Sequence, residues 1–239
     1  MNLTVDRDTV ISRLLGANDI LILCHKNPDG DTIGSGTALC LALQRLGKTA
    51  SVLCSDPIPA MYSYMPIPLF DGSYTPAFVV AVDVAGIQLF GDRNHIQEYA
   101  EHVDLCIDHH GSNSGFALET LVEPEAAAAA ELLTSLIPAM GVELTPDIAA
   151  CLYTGLATDT GCFRFTNTTA ATHRAAAALI EAGADVESLN ERLFECRSHA
   201  RITAEKLALE SLEYYYDDRC ALICLTWDQI ESAGVDGAE

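Results

Sequence analysis

His25, Asp29, Asp31, Asp83, His109, His110 and Asp159 fall in four short segments: HKNPDGD (25–31), AVD (81–83), DHH (108–110) and ATDTG (157–161). Each segment reads as the end of a strand or the start of a helix. Aspartate oxygens and histidine nitrogens hold hard to borderline divalent cations, and one carboxylate can bridge two of them. The pattern points to a two-metal site. Such a site lowers the pKa of water and stabilises the charge of phosphoryl transfer.

The elements that must position these residues follow from hydrophobic patterning. Residues 4–15 read as an amphipathic opening helix. Residues 19–25 (DILILCH) are a nearly continuous apolar run, the mark of a buried parallel strand. Asn27, Pro28, Asp29 and Gly30 break it, and residues 31–46 carry helical spacing that ends at Gly47, a C-cap. Further strands are expected over 49–54, 78–83, 104–109 and 118–122, with a covering loop over 56–76. Helices are expected over 126–137, where alanine favours them, over 146–154, with proline in the first turn, and over 169–182 and 186–193. Residues 200–212 read as a connecting helix. Residues 214–226 return to strand-like sequence, with Asp217–Arg219 as a hairpin turn and the tyrosines of 214–216 packed within a strand.

Alternating strands and helices imply an α/β fold, a parallel sheet flanked by helices, followed by the start of a second α/β domain. The expected boundaries are 1–198 for the catalytic domain, 199–213 for a linker helix and 214–239 for the beginning of a truncated second domain. In parallel sheets, ligands bind at the carboxyl ends of strands. Three of the expected strands end at His25, Asp83 and Asp108–His110. Turn formation and capping by Asp31 would explain HKNPDGD alone. They do not explain three strand ends that carry ligand-type residues.

Each residue has an expected part. A lone carboxylate at Asp83, ending an apolar strand, costs free energy unless paired or bound to a cation. His109 and His110 are adjacent and point different ways, so one can ligate metal while the other meets substrate. Asp108 can orient a histidine ring. Arg164 offers a planar fork for phosphate, or a pair for a surface acid. His95, His102, His173 and His199 read as surface or supporting residues.

The net charge of −21, from 13 Lys and Arg against 34 Asp and Glu, argues against a long grip on duplex nucleic acid. It leaves a short anionic substrate open, since cations would cancel local charge. The hydrophobic fraction of 49% can fill a core. No apolar run reaches the ~18 residues that span a bilayer, and the N-terminus lacks a signal-peptide pattern. Nine cysteines show no paired metal-binding spacing. Cys24, Cys40, Cys54, Cys106, Cys151 and Cys224 read as small buried hydrophobes in a reducing cytoplasm.

HKNPDGDTIGSGTAL, AVDVAG, DHH and GLATDTGCFRFTNT, in that order, resemble the DHH family of phosphoesterases. The resemblance covers most of residues 19–170 and is strongest to the subgroup of oligoribonucleases (nanoRNases) and 3′-phosphoadenosine-5′-phosphate phosphatases. It implies a cytoplasmic hydrolase with two divalent ions, Mn²⁺ first and Mg²⁺ as the alternative. His25, Asp29 and Asp83 would bind one ion; Asp31, Asp83, His109 and Asp159 would bind the other. A hydroxide between the ions would attack phosphorus, making Asp31, Asp83 and His110 the catalytic residues. His110 and Arg164 would contact substrate, a short oligonucleotide or a nucleotide phosphate, and Asp108 would support. A homodimer is compatible with this reading, and no membrane partner is implied. Such enzymes carry a second domain, DHHA1, with a GGGH-type motif that does not occur in these 239 residues. A pyrophosphatase, a cyclic-dinucleotide phosphodiesterase and a non-catalytic nucleotide-binding module are the alternatives.

Overall fold

A computed structural model describes residues 2–234. It comprises two compact units, Met1–Leu193 and Phe194–Glu239. In the first unit, six described strands form one sheet in the order β1-β6-β5-β4-β2-β3. They are β1 (Leu3–Thr4), β2 (Ile20–Leu23), β3 (Ala50–Leu53), β4 (Phe78–Val82), β5 (Leu105–Asp108) and β6 (Glu119–Val122). Every pairing is parallel. The sequences ILIL of β2 and FVVAV of β4 are apolar almost throughout because helices cover both faces of a parallel sheet. The expected α/β fold is therefore observed.

The chain leaves β2 for β3 on one side and returns to β4 on the other. A crevice opens at the carboxyl ends where strand order reverses in this way. His25 follows β2 and Asp83 follows β4, so both stand at that crevice.

The helices of this unit are α1 (Arg7–Gly16), α2 (Gly30–Arg45), α3 (Gln97–Ala100), α4 (Ala129–Ala139), α5 (Pro146–Asp159), α6 (Ala170–Glu181) and α7 (Val186–Asn190), followed by a π-helical turn over Glu191–Glu195. Asp6, not Thr4, opens α1: its side chain accepts the Thr9 N–H, while Leu3 and Thr4 join the sheet edge beside β6. Helix α2 is buried along most of its length and packs closely on α5. A Cβ at Gly34 would collide with the carbonyl oxygen of Cys151. This tight crossing brings the first turn of α2 beside the last turn of α5.

The second unit contains α8 (His199–Glu210), the antiparallel pair β7 (Glu213–Tyr215) and β8 (Cys220–Leu222), and α9 (Trp227–Ala233). Two expectations fail here. Tyr214, Tyr215 and Tyr216 are exposed, and so is Cys224. A two-stranded hairpin has no covered face in which to bury them. Cys24, Cys40, Cys54, Cys106 and Cys151 are buried as expected. Among the described residues, no helix is long and apolar enough to cross a membrane.

Candidate metal centre

The site begins at the end of β2. The His25 ring nitrogen Nδ1 lies 2.7 Å from the Lys26 carbonyl oxygen. A carbonyl only accepts, so Nδ1 carries a proton, and Nε2 is the nitrogen that presents a lone pair once the ring is neutral. That Nε2 stands 3.6 Å from Asp29 Oδ2 and 3.6 Å from Asp83 Oδ2. Asp29 divides its carboxylate between two tasks. Oδ1 accepts the N–H groups of Asp31 (3.0 Å) and Thr32 (3.1 Å), capping α2, while Oδ2 faces His25. Asp29 rather than Asp31 is thus the cap of α2, and its second oxygen stays turned to His25.

Asp83 follows β4 with φ +59°, in the left-handed region. A non-glycine residue there stores strain, and such strain clusters at functional sites. The bend turns a carboxylate that is only 2% exposed. Thr32 ties the two strand ends together: its hydroxyl donates to the Val82 carbonyl (3.1 Å) and accepts the His25 N–H (3.3 Å).

His109 follows β5. Its Nδ1 donates to the Ala126 carbonyl oxygen at 3.2 Å, which again makes Nε2 the nitrogen that gives a lone pair when the ring is neutral. Nε2 lies 3.3 Å from Asp159 Oδ2, 3.4 Å from Asp83 Oδ1 and 3.9 Å from Asp31 Oδ2. Asp31 is fully buried. Its carboxylate accepts the Ala129 N–H (2.6 Å), the Ala130 N–H (2.9 Å) and the Ser35 hydroxyl (2.9 Å). It therefore caps α4 from outside, since Ala128 has no side chain to do so.

Asp108 turns inward. Its carboxylate accepts the backbone N–H of His109 (2.8 Å) and of His110 (3.2 Å), His110 Nδ1 (2.8 Å) and the Asn113 amide (2.6 Å). His110 therefore commits Nδ1 to Asp108 and keeps Nε2 free on a side chain that is 43% exposed. His110 Nδ1 also lies 3.5 Å from Asp83 Oδ1. The shorter bond to Asp108 decides its orientation. Arg164 differs from the rest. It is exposed, and its Nε–H donates to the Gly161 carbonyl at 2.6 Å, within its own loop.

Electrostatics separate these groups. Burial pushes Asp31 well above the usual carboxylate range, reinforced by Asp83 and Asp159. Burial also raises Asp159, against the lowering influence of His109. Burial opposes charge on His25, but the carboxylates of Asp29 and Asp83 outweigh it and hold its pKa at about 10. The same contest at His109, won by Asp159 and Asp83, gives about 11. Asp108 raises His110 from its ordinary value.

This donor set fits divalent cations. Among the described residues, Asp83 Oδ1 and His109 Nε2 are buried and lack hydrogen-bond partners. Three groups place their donor atoms within 4.8 Å of one another: His25, Asp29 and Asp83; Asp31, His109 and Asp159; and Asp83, His109 and His110. The first contains the three residues expected around one ion; the second contains three of the four expected around the other, with Asp83 outside it but 3.4 Å from His109 Nε2. The sequence reading missed Thr32, Asn113 and Asn167, whose bonds orient the site, because polar residues of this kind in loops and first turns carry no periodic signal.

The family described as DHH family, N-terminal domain, matches residues 19–156. The bifunctional oligoribonuclease and PAP phosphatase NrnA of Thermus thermophilus is 34% identical over 211 residues, covering 82% of this chain and 60% of the relative. The protein of the same name from Bacillus subtilis is 27% identical over 196 residues, covering 79% of this chain and 61% of the relative. The chain thus spans about three-fifths of the length of these relatives. The crystal structure of an exopolyphosphatase-related protein from Bacteroides fragilis shares the fold, with a TM-score of 0.84 at 24% identity, over 97% of this chain and 73% of that one.

Proposed function

The chain belongs to the DHH family, and from that membership and the two ligand sets we propose a two-metal phosphoesterase that hydrolyses short oligoribonucleotides or nucleotide phosphates. The observation that carries the proposal is the pair Asp83 Oδ1 and His109 Nε2. They are 3.4 Å apart, buried and, among the described residues, without hydrogen-bond partners, and each belongs to a set of convergent donors. Burying such groups is costly unless something satisfies them.

His25, Asp29 and Asp83 would hold one cation, and Asp31, Asp83, His109 and Asp159 the other. Mn²⁺ suits mixed imidazole and carboxylate donors, and Mg²⁺ is the alternative. When bound, the cations supply Lewis acidity toward water and phosphate. The remaining work falls to the chain. Lys26 and Ala126 fix both ligand imidazoles with Nε2 inward. Asp108 holds His110 so that its Nε2 faces outward, where it can donate to a phosphate oxygen. Arg164 keeps its terminal guanidinium nitrogens for substrate while Nε is anchored on Gly161. The similarity to NrnA proteins, each named as an oligoribonuclease and PAP phosphatase, favours a substrate of one or a few nucleotides.

The test is hydrolysis by the full 239-residue chain of a diribonucleotide, 3′-phosphoadenosine 5′-phosphate and pyrophosphate, with Mn²⁺ and with EDTA. Mn²⁺-dependent turnover of either nucleotide is expected. Preference for pyrophosphate would overturn the substrate class, and undiminished turnover in EDTA would overturn the metal dependence.

A further inference from the structure

We infer that Asn167 is a positioning residue for the ligand set Asp31, His109 and Asp159, acting through the alanine segment 126–130. The inference rests on the two-metal reading above and adds to it the part of the chain that holds one of the two sets in place.

This segment bonds directly to two of the three residues and reaches the third, Asp159, through Asn167. The Ala126 carbonyl accepts His109 Nδ1–H at 3.2 Å. The Ala129 and Ala130 N–H groups donate to the Asp31 carboxylate at 2.6 and 2.9 Å. Between them, the Ala127 carbonyl accepts the Asn167 amide at 3.2 Å, and the same amide donates to the Asp159 carbonyl at 3.1 Å. Both Asn167 partners are acceptors only, so the NH₂ group must face them. Asn167 therefore links the third ligand to the segment that holds the other two.

The link matters at Asp159 because that residue closes α5, with Thr160 as its C-cap. Beyond it the chain runs through left-handed Gly161, Cys162 and Phe163. The helix alone does not fix a residue at its last turn. The segment itself is pinned from the other side: Glu131 Oε2 accepts the Ala127 N–H (3.1 Å) and the Thr172 hydroxyl (2.9 Å). Ala127–Ala130 are buried, and their side chains offer no donor to a cation. The segment serves through its backbone.

The other set is held differently. Among the described residues, the bonds that orient His25 and Asp29 go to Lys26 and to the first turn of α2, and the Asp83 N–H goes to Ile107. Loss of Asn167 should therefore affect one ion and spare the other.

Calorimetric Mn²⁺ titration of wild type, Asn167→Ala and Asn167→Ser, with thermal unfolding in EDTA, tests this. Thr166→Ala, an exposed neighbour, is the control. Wild type should bind two equivalents. Asn167→Ala should bind one of them about 10- to 100-fold more weakly, the usual effect of an outer-sphere change. The other equivalent and the metal-free melting temperature should match wild type. Asn167→Ser keeps one donor, should fall between, and decides the matter if Asn167→Ala does not fold. Two equivalents at wild-type affinity in the variants would overturn the inference while the two-metal reading stands. Equal weakening of both ions together with a fall in melting temperature would also overturn it, by showing a general fold defect. A wild type that binds fewer than two ions would overturn the two-metal reading and this inference together.

Discussion

Gly155 of α5 stands against the carboxylate of Asp31 in α2. A Cβ at Gly155 would lie 2.6 Å from Asp31 Oδ1 and 2.9 Å from the Ala130 Cβ. One missing methyl group thus makes room both for the Asp31 carboxylate and for the helix start that it caps. Gly155→Ala should destabilise the fold by about 1–3 kcal/mol, the usual cost of overpacking. It should also weaken binding of the ion held by Asp31. Urea unfolding of the metal-free chain and Mn²⁺ titration check the two effects separately.

Thr32 offers a second structural test. Thr32→Val keeps the shape but removes the hydroxyl that joins the His25 N–H to the Val82 carbonyl. Leaving both groups unpaired should cost roughly 1–3 kcal/mol. Because the bond joins the ends of β2 and β4, the ion at His25, Asp29 and Asp83 should be the one affected. Retention of wild-type affinity at that ion would show that the backbone alone holds the strand ends in register.

The metal-free chain should release protons when it binds metal. His25 and His109, held at about 10 and about 11, carry protons at neutral pH that a cation must displace. Apparent Mn²⁺ affinity should therefore rise with pH through the neutral range. The same shifts set the sign for metal-free stability. The folded pKa values lie above the unfolded value near 6.5, so the contribution is complete below that pH. It is lost as pH rises toward 10 and 11. Calorimetry in buffers of different ionisation enthalpy measures the protons released.

The two neighbouring histidines should part company on substitution. His109→Ala should lose metal. His110→Ala should keep it and lower kcat on the order of 10²-fold, as for removal of one donor to a developing oxyanion. Metal analysis beside steady-state kinetics separates the two. Loss of metal from the His110 variant would instead place His110 among the ligands, as its 3.5 Å approach to Asp83 would then require.

Much of this was legible in the sequence for a physical reason. Parallel strands buried on both faces are apolar runs, and His25, Asp83 and Asp108 stand out where such runs end. The order of strands then brings those ends together. The unread parts depend on contacts between distant segments. Leu3 and Thr4 become a strand only because β6 offers an edge. Asp31 caps a helix 98 residues away, which no local pattern announces. The Asn167 amide reaches across 40 residues to Ala127. In the hairpin, YYYDDRCALICL has strand composition, yet Tyr216 is 79% exposed. Composition gives the element but not what covers it.

An Asp83 that serves both ions makes the metal stoichiometry of Asp83→Asn decisive. The amide keeps the volume but gives up the charge and one acceptor oxygen. Equilibrium dialysis against Mn²⁺, with circular dichroism to verify folding, should find two ions in wild type and none bound tightly in the folded variant. Two ions retained at wild-type affinity would contradict a shared ligand at this position. One ion retained would mean that Asp83 belongs to a single set.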